Sequence, residues 1–353
     1  MTVGPLRRMK IENGTPFAVE TFPVLDLEGN PIFLVVIKGT FLVGGDGAVT
    51  PADEQIPVAF GDVVEGEGET AKVRLEGDTV PFKPRADIFL LGKAHGPGGK
   101  PVRVLDTWLH VGNLKKVVRV FGDRAWISGK GKLTTPVFSD PEPFTEMDLV
   151  NEKAFGGIDA ESGGVCAENP AGCGFYTRKS PEKIDRAPLP NIEDPGNPIR
   201  QWKDHPRPAG FGIVGKNCQP RFGYLGTYDE RWQKERCPAP PADFRPDYYN
   251  AAQPDLQVPG YLKGDEDVLL LNLTPGGGEV RFRLPGVHPA VAVTRADIEF
   301  LGWDAPPSTV NLDMRLDTLC LLPEESRFFL VWRGSLPVRN LGALEIREVS
   351  IQG

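Results

Sequence analysis

Proline interrupts this chain so often, 35 times in 353 residues, that few stretches are free to form a long helix. Each proline removes a backbone donor and clashes with the preceding helical turn. The fold must therefore be sought in strands and loops. Strand signals run through both ends of the chain. "FLVVIKGTFLV" (Phe33 to Val43), "ADIFLLGKAH" (Ala86 to His95), "VRVLDTWLHV" (Val102 to Val111) and "KKVVRVFGDRAW" (Lys115 to Trp126) are separated by "GGDG", "GPGGKP" and "GN", which are turn chemistry. Strands return from Val268 to Ile351, in "VLLLNL", "EVRFRL", "AVAVTRADIEFLG", "STVNLDMRLDTLCLL", "RFFLVWRGSL" and "ALEIREVSI". In between, Pro and Gly recur every few residues and neither the helical nor the strand period persists. The expected fold is mainly β, with an N-terminal β unit over 1–135, a loop-rich, Pro/Gly-rich region over 136–264 and a C-terminal β unit over 265–353. Both units should be antiparallel, and helix should fall well below the globular average of about a third.

Two stretches repeat in the same order. "RADIFLLG" at Arg85 matches "RADIEFLG" at Arg295, and "LDTWLHVGNLKKVVRVFGDR" at Leu105 matches "LDTLCLLPEESRFFLVWRGS" at Leu316. Internal duplication is one explanation, and convergent strand-turn-strand sequence is the other.

The chemistry is thinner than the architecture. A net charge of -8 with no basic block argues against nucleic acid as a partner. The longest apolar stretch, "IFLVVI", is far too short to span a bilayer, and no signal peptide is read at the start. Five irregularly spaced cysteines fit reduced thiols in a cytoplasm, neither disulfide-bonded nor metal-binding. "GFGIVGKN" (Gly210 to Asn217) approaches a phosphate-binding loop, yet Asn217 stands where a magnesium-binding hydroxyl is needed, and no helix follows to aim amides at a phosphate. His95, His110, His205 and His288 are isolated from one another. Acidic pairs such as Glu193 with Asp194 and Asp229 with Glu230 suit capping or solvated faces, although a glycosidase needs only two carboxylates across a cleft. No catalytic, cofactor-binding or metal-binding residue is assigned.

One stretch stands apart. "DFRPDYYNAAQPDLQ" (Asp243 to Gln257) sets its aspartates beside prolines, where short acidic side chains close turns. Tyr248 and Tyr249, with Trp232 upstream, either pin an irregular loop onto the β body or anchor a partner. They are the candidate partner-binding residues, with both roles open.

"TPFAVETFPVLD" (Thr15), "PFKPRADIFLLGKAH" (Pro81), "RVFGDRAW" (Arg119), "PFTEMDLVNEKAFGG" (Pro143), "NPAGCGF" (Asn169), "LPNIEDP" (Leu189), "PAGFG" (Pro208), "GTYDERW" (Gly226), "DYYNAAQPDLQ" (Asp247) and "GYLKGDE" (Gly260) resemble, in order, the motif string of a bacterial family described as domain of unknown function 2169. Its members are encoded in type VI secretion loci. The resemblance runs from Thr15 to about Leu273. It implies a cytoplasmic, non-catalytic adaptor or chaperone that binds a secreted effector and assists its loading onto a VgrG-type spike or its tip protein, and it carries over no catalytic residues. The competing classes are a carbohydrate-active β enzyme using paired carboxylates and a structural component of the secretion apparatus.

Overall fold

The apolar run at Phe33 becomes the spine of the largest sheet. In the computed structural model, which describes residues 9–65, 72–128, 135–177, 184–295, 308–338 and 346–353, the strand Pro31–Val43 is buried continuously from Ile32 to Phe41. A half-exposed strand would alternate; a strand covered on both faces does not. It lies in a seven-stranded sheet ordered Gln257–Val258, Ala86–Leu90, Arg315–Leu322, Arg327–Pro337, Pro31–Val43 and Ala18–Leu25, with Val49–Pro51 pairing beside it on the long strand. Pro23 falls in the edge strand Ala18–Leu25, where a missing donor disrupts nothing and discourages further pairing.

A five-stranded sheet follows the order Ile192–Glu193, Leu114–Phe121, Val104–Val111, Asp267–Leu271, Glu279–Arg283, and a four-stranded sheet the order Lys10–Asn13, Ile346–Gln352, Ala290–Arg295, Ser308–Leu312. The fold is thus mainly β, at 42% strand and 9% helix, and the one α-helix among the described residues is Glu230–Glu235. The N-terminal and C-terminal strands share all three sheets. Within these three sheets two pairings are parallel, Ala86–Leu90 with Arg315–Leu322 and Lys10–Asn13 with Ile346–Gln352. Strands this far apart in sequence are freed from the tight turn that forces antiparallel neighbours.

The repeat receives a different explanation from duplication. The hairpin Val104–Val111/Leu114–Phe121 lies in the five-stranded sheet, whereas Arg315–Leu322/Arg327–Pro337 lies in the seven-stranded one, between other neighbours. The second "RADI" begins at Arg295, the last residue of a strand in the four-stranded sheet, and its remainder, Ala296 to Gly302, lies outside the described residues. The copies do not occupy equivalent positions. Instead the first "RADI" and the second "LDT" meet each other, with Asp87 opposite Thr318. The likeness reflects strand-turn-strand chemistry.

The main core gathers around Trp332, which is fully buried, with the Phe17 ring 5.8 Å away, Phe17 5.5 Å from Phe41, and Phe41 5.3 Å from Phe328. Gly39 makes this approach feasible, since a Cβ there would lie 3.0 Å from Phe17 Cδ1 and 3.1 Å from Phe41 Cε2. A second, smaller core lies under the central loops: Trp126, Phe155, Cys166, Ile184, Leu189 and Ile199. It explains how a region almost without regular structure stays ordered, because its loops bury a hydrophobic cluster of their own.

A polar chain runs through the large sheet. Lys38 Nζ donates to Asp78 Oδ2 (2.9 Å); Arg333 donates to the carbonyls of Asp78 and Val80 and, through Nε, to Asp317 Oδ2 (2.7 Å). Thr318 Oγ1 donates to Asp317 Oδ1 (2.8 Å), and Lys83 Nζ donates to both Thr318 Oγ1 (2.8 Å) and Asp87 Oδ2 (2.9 Å). All seven of these side chains belong to buried residues. The cations Lys38, Arg333 and Lys83 balance the carboxylates Asp78, Asp317 and Asp87, so no charge is buried unpaired, which is the condition under which burial is tolerated.

Candidate functional site: an aromatic surface on pinned loops

The polar chain ends at the stretch Asp243 to Gln257. Asp87, with no exposure, accepts from Asn250 Nδ2 (2.9 Å) and from the backbone N–H groups of Ala251 (3.0 Å) and Ala252 (3.2 Å) as well as from Lys83. This locks the segment onto the sheet. Gln257–Val258 then extends that sheet by pairing with Asp87 and Ala86. Two short 3-10 turns, Pro246–Tyr249 and Pro254–Leu256, each start on a proline, the residue whose fixed φ and missing donor suit a first helical position.

The aspartates here do more than close local turns. Asp243 accepts from the N–H (2.9 Å) and hydroxyl (2.8 Å) of Thr227; Asp247 accepts from Arg85 (3.2 Å) and Arg245 (3.3 Å); Asp255 accepts from Lys116 (2.8 Å). Each ties this loop to another segment. Arg221, itself buried, donates to the Tyr248 carbonyl (2.8 Å) and holds Glu76 through both terminal nitrogens.

The three aromatics singled out from the sequence fall in two ring groups, Trp232 with Tyr228, and Tyr248 and Tyr249 around Phe244. Trp232 sits on the helix Glu230–Glu235, capped by Asp229, whose Oδ1 accepts from the Trp232 N–H (2.8 Å). Its indole Nε1 donates to the Ala239 carbonyl (2.8 Å), and the Tyr228 ring stands edge-on 4.6 Å away. Tyr249 packs between Phe82 (5.6 Å) and Phe244 (5.3 Å), while Tyr248 meets Phe244 (5.8 Å) and the Arg221 guanidinium (5.2 Å). Burial, followed by the neighbouring Tyr228 and Tyr248, pushes the Tyr249 phenol up to about 12. All three are half-buried and engaged within the chain. The residues that reach outward are Phe222 and Tyr228, 53% and 50% exposed. Sequence inspection passed over both, because isolated aromatics in a Pro/Gly-rich stretch carry no periodicity to mark which side faces water.

Several of the other candidates are held by partners within the chain. The segment around Gly210 is irregular backbone with one isolated bridge, Ile213 to Ala252: the Phe211 carbonyl accepts from Leu90 (3.1 Å), Val214 donates to the Ala251 carbonyl (2.7 Å), and Lys216 is held by both oxygens of Asp62 (2.9 and 3.0 Å). Glu193 is buried against Arg124 and accepts from the Ile199 N–H (3.1 Å). His95 Nε2 lies 2.7 Å from Glu324 Oε1, and His205 packs on Phe175 at 5.0 Å. Burial, then Lys115 and Arg281, lower the pKa of His110. The cavity that His110 lines, about 330 Å³, contains a single carboxylate, Asp267, where a glycosidase requires two. All five cysteines are free thiols; Cys166 and Cys320 are buried, and Cys237 is exposed. Among the described residues, no three His, Cys, Asp or Glu side chains cluster at metal-binding distance, and no helix is long and apolar enough to cross a membrane.

A family described as "Uncharacterized protein conserved in bacteria (DUF2169)" matches residues 28–333, and the chain belongs to it. No curated protein and no solved structure shows significant similarity to the chain.

Proposed function

We propose that this member of the family is a non-catalytic, cytoplasmic adaptor or chaperone that binds a type VI secretion effector and assists its loading onto a VgrG-type spike. The resemblance of its motifs to those of proteins from type VI secretion loci supplies the cargo. The observation that carries the binding role is the pairing of exposed Phe222 and Tyr228 with a bed of half-buried aromatics, Trp232, Tyr248 and Tyr249, on loops fastened to a rigid sheet. Loops whose ends are fixed by a scaffold offer adaptable contacts without fraying, and aromatics at the centre of such a surface dominate binding energy. Trp232, Tyr248 and Tyr249 hold the surface in shape, and Phe222 and Tyr228 meet the partner. The test is co-purification from cells co-expressing the chain and the effector encoded beside it. A stable complex supports an adaptor, and failure of wild-type protein to retain the effector refutes it.

A further inference from the structure

We infer that the rim of the cavity beside Tyr224 is a carboxylate-recognition subsite, so that the cargo segment seated there carries an acidic side chain next to an apolar or aromatic one. This rests on the adaptor reading of the same surface and adds the chemistry of the partner. The cavity, about 50 Å³, is lined by Arg85, Pro220, Arg221, Tyr224 and Asp247 among others. Two guanidiniums converge on one carboxylate: Arg85 Nη1 reaches Asp247 Oδ1 at 3.2 Å, and Arg245 Nη2 reaches Asp247 Oδ2 at 3.3 Å. Neither arginine reaches another carboxylate among the described residues. One carboxylate balances one of them, and the rim keeps a positive charge on a chain whose net charge is -8. Arg221 adds nothing to this excess, since Glu76 matches it. Asp243, close in sequence, commits its two oxygens to Thr227.

Donors are also left over in number. Arg85 uses only Nη1, for Asp247 and for Gln257 Oε1 (3.1 Å), so its Nε and Nη2 make no hydrogen bond among the described residues. That edge of a guanidinium is a planar fork matching two carboxylate oxygens. The Arg245 guanidinium lies 4.2 Å over the Tyr224 ring, which holds it in place before a ligand arrives and reduces the entropy lost on binding. Both side chains are accessible, at 43% and 57% exposure. Phe222, 53% exposed, lies two residues from Tyr224 in the 3-10 turn Arg221–Tyr224, so the same turn offers an apolar side chain to a partner.

The experiment selects random peptides displayed on phage against the full-length protein, then measures the enriched peptides by fluorescence anisotropy. Enriched sequences should place Asp or Glu beside an aromatic or branched apolar residue. Replacing that acid by its amide should weaken binding about tenfold or more, as should Arg245→Gln in the protein, and the two changes together should cost little more than either alone. Arg245→Gln serves beside Arg85→Gln because the exposed Arg245 side chain can be lost without unfastening the loop, which an unchanged melting temperature would verify. Enriched peptides without carboxylates, equal affinity for the arginine variants, or no enrichment would overturn the inference. A Phe222→Ala, Tyr228→Ala variant separates the two levels. If it loses peptides that ignore the arginines, the surface binds protein but not through a carboxylate; if it loses none, the adaptor surface fails as well.

Discussion

Asn250 Nδ2 donates to Asp87 Oδ1 at 2.9 Å, joining the end of the aromatic loop to a strand in the largest sheet. Through this bond and the N–H groups of Ala251 and Ala252, the polar chain inside the sheet controls where the candidate surface sits.

Asp87→Asn should therefore be among the most damaging isosteric changes in the protein. It leaves Lys83 buried without its counter-charge and turns an amide donor toward groups that need an acceptor. Breaking a buried pair costs about 3–5 kcal/mol, which urea unfolding would measure. A loss under about 1 kcal/mol would show that the loop is held by other means.

Gly39→Ala tests the main core. The added methyl must displace the Phe17 or Phe41 ring, and overpacking of this kind typically costs about 1–3 kcal/mol. Thermal unfolding reads the effect; a neutral or stabilising result would mean that the rings can shift without strain.

Tyr249 predicts a pH dependence with a definite sign. Its folded pKa, about 12, lies above the ordinary 10.0, so folding favours the neutral phenol. That contribution is complete below pH 10 and is lost as pH rises from 10 toward 12. In a tyrosinate absorbance titration one tyrosine should ionise late, and Tyr249→Phe should remove that late phase and flatten the alkaline loss of stability. A wild-type titration with no late phase would contradict the packing of Phe82 and Phe244 around this ring.

Much of this fold could be read in advance, and the failures share a cause. "FLVVIKGTFLV" was legible as a strand, though its burial on both faces, Ile32 to Phe41, appears only in the structure, and the proline content pointed to the low helix content that the fold shows. The shared sheets were not legible, because pairing partners such as Asp87 and Thr318 lie far apart and strand register leaves no mark on a single sequence. The aspartates of "RADI" and "LDT" were visible, and a carboxylate inside an apolar strand is itself a signal of a buried ion pair. Its partners, Lys83 and Arg333, could be found only by folding the chain. At the surface, exposure was not legible either: Tyr248, Tyr249 and Trp232 are half-buried, whereas Phe222 and Tyr228 are 53% and 50% exposed.

The thiols supply a further check. Burial raises Cys320 to about 12, and the reactive thiolate is scarce at such a value. Ellman's reagent should modify exposed Cys237 first in the native protein and reach Cys320 only after unfolding, while reductant should leave the melting temperature unchanged. Rapid native labelling of Cys320 would contradict the packing of the sheet.

The most direct test of the adaptor account is capture of the effector encoded beside this chain by two double variants, each with its melting temperature recorded. Phe222→Ala, Tyr228→Ala should melt like wild type and lose capture, with each true hot spot costing about 2 kcal/mol or more. Tyr248→Ala, Tyr249→Ala should lower the melting temperature, because those rings hold the loop together. Undiminished capture by the Phe222→Ala, Tyr228→Ala variant would contradict the account.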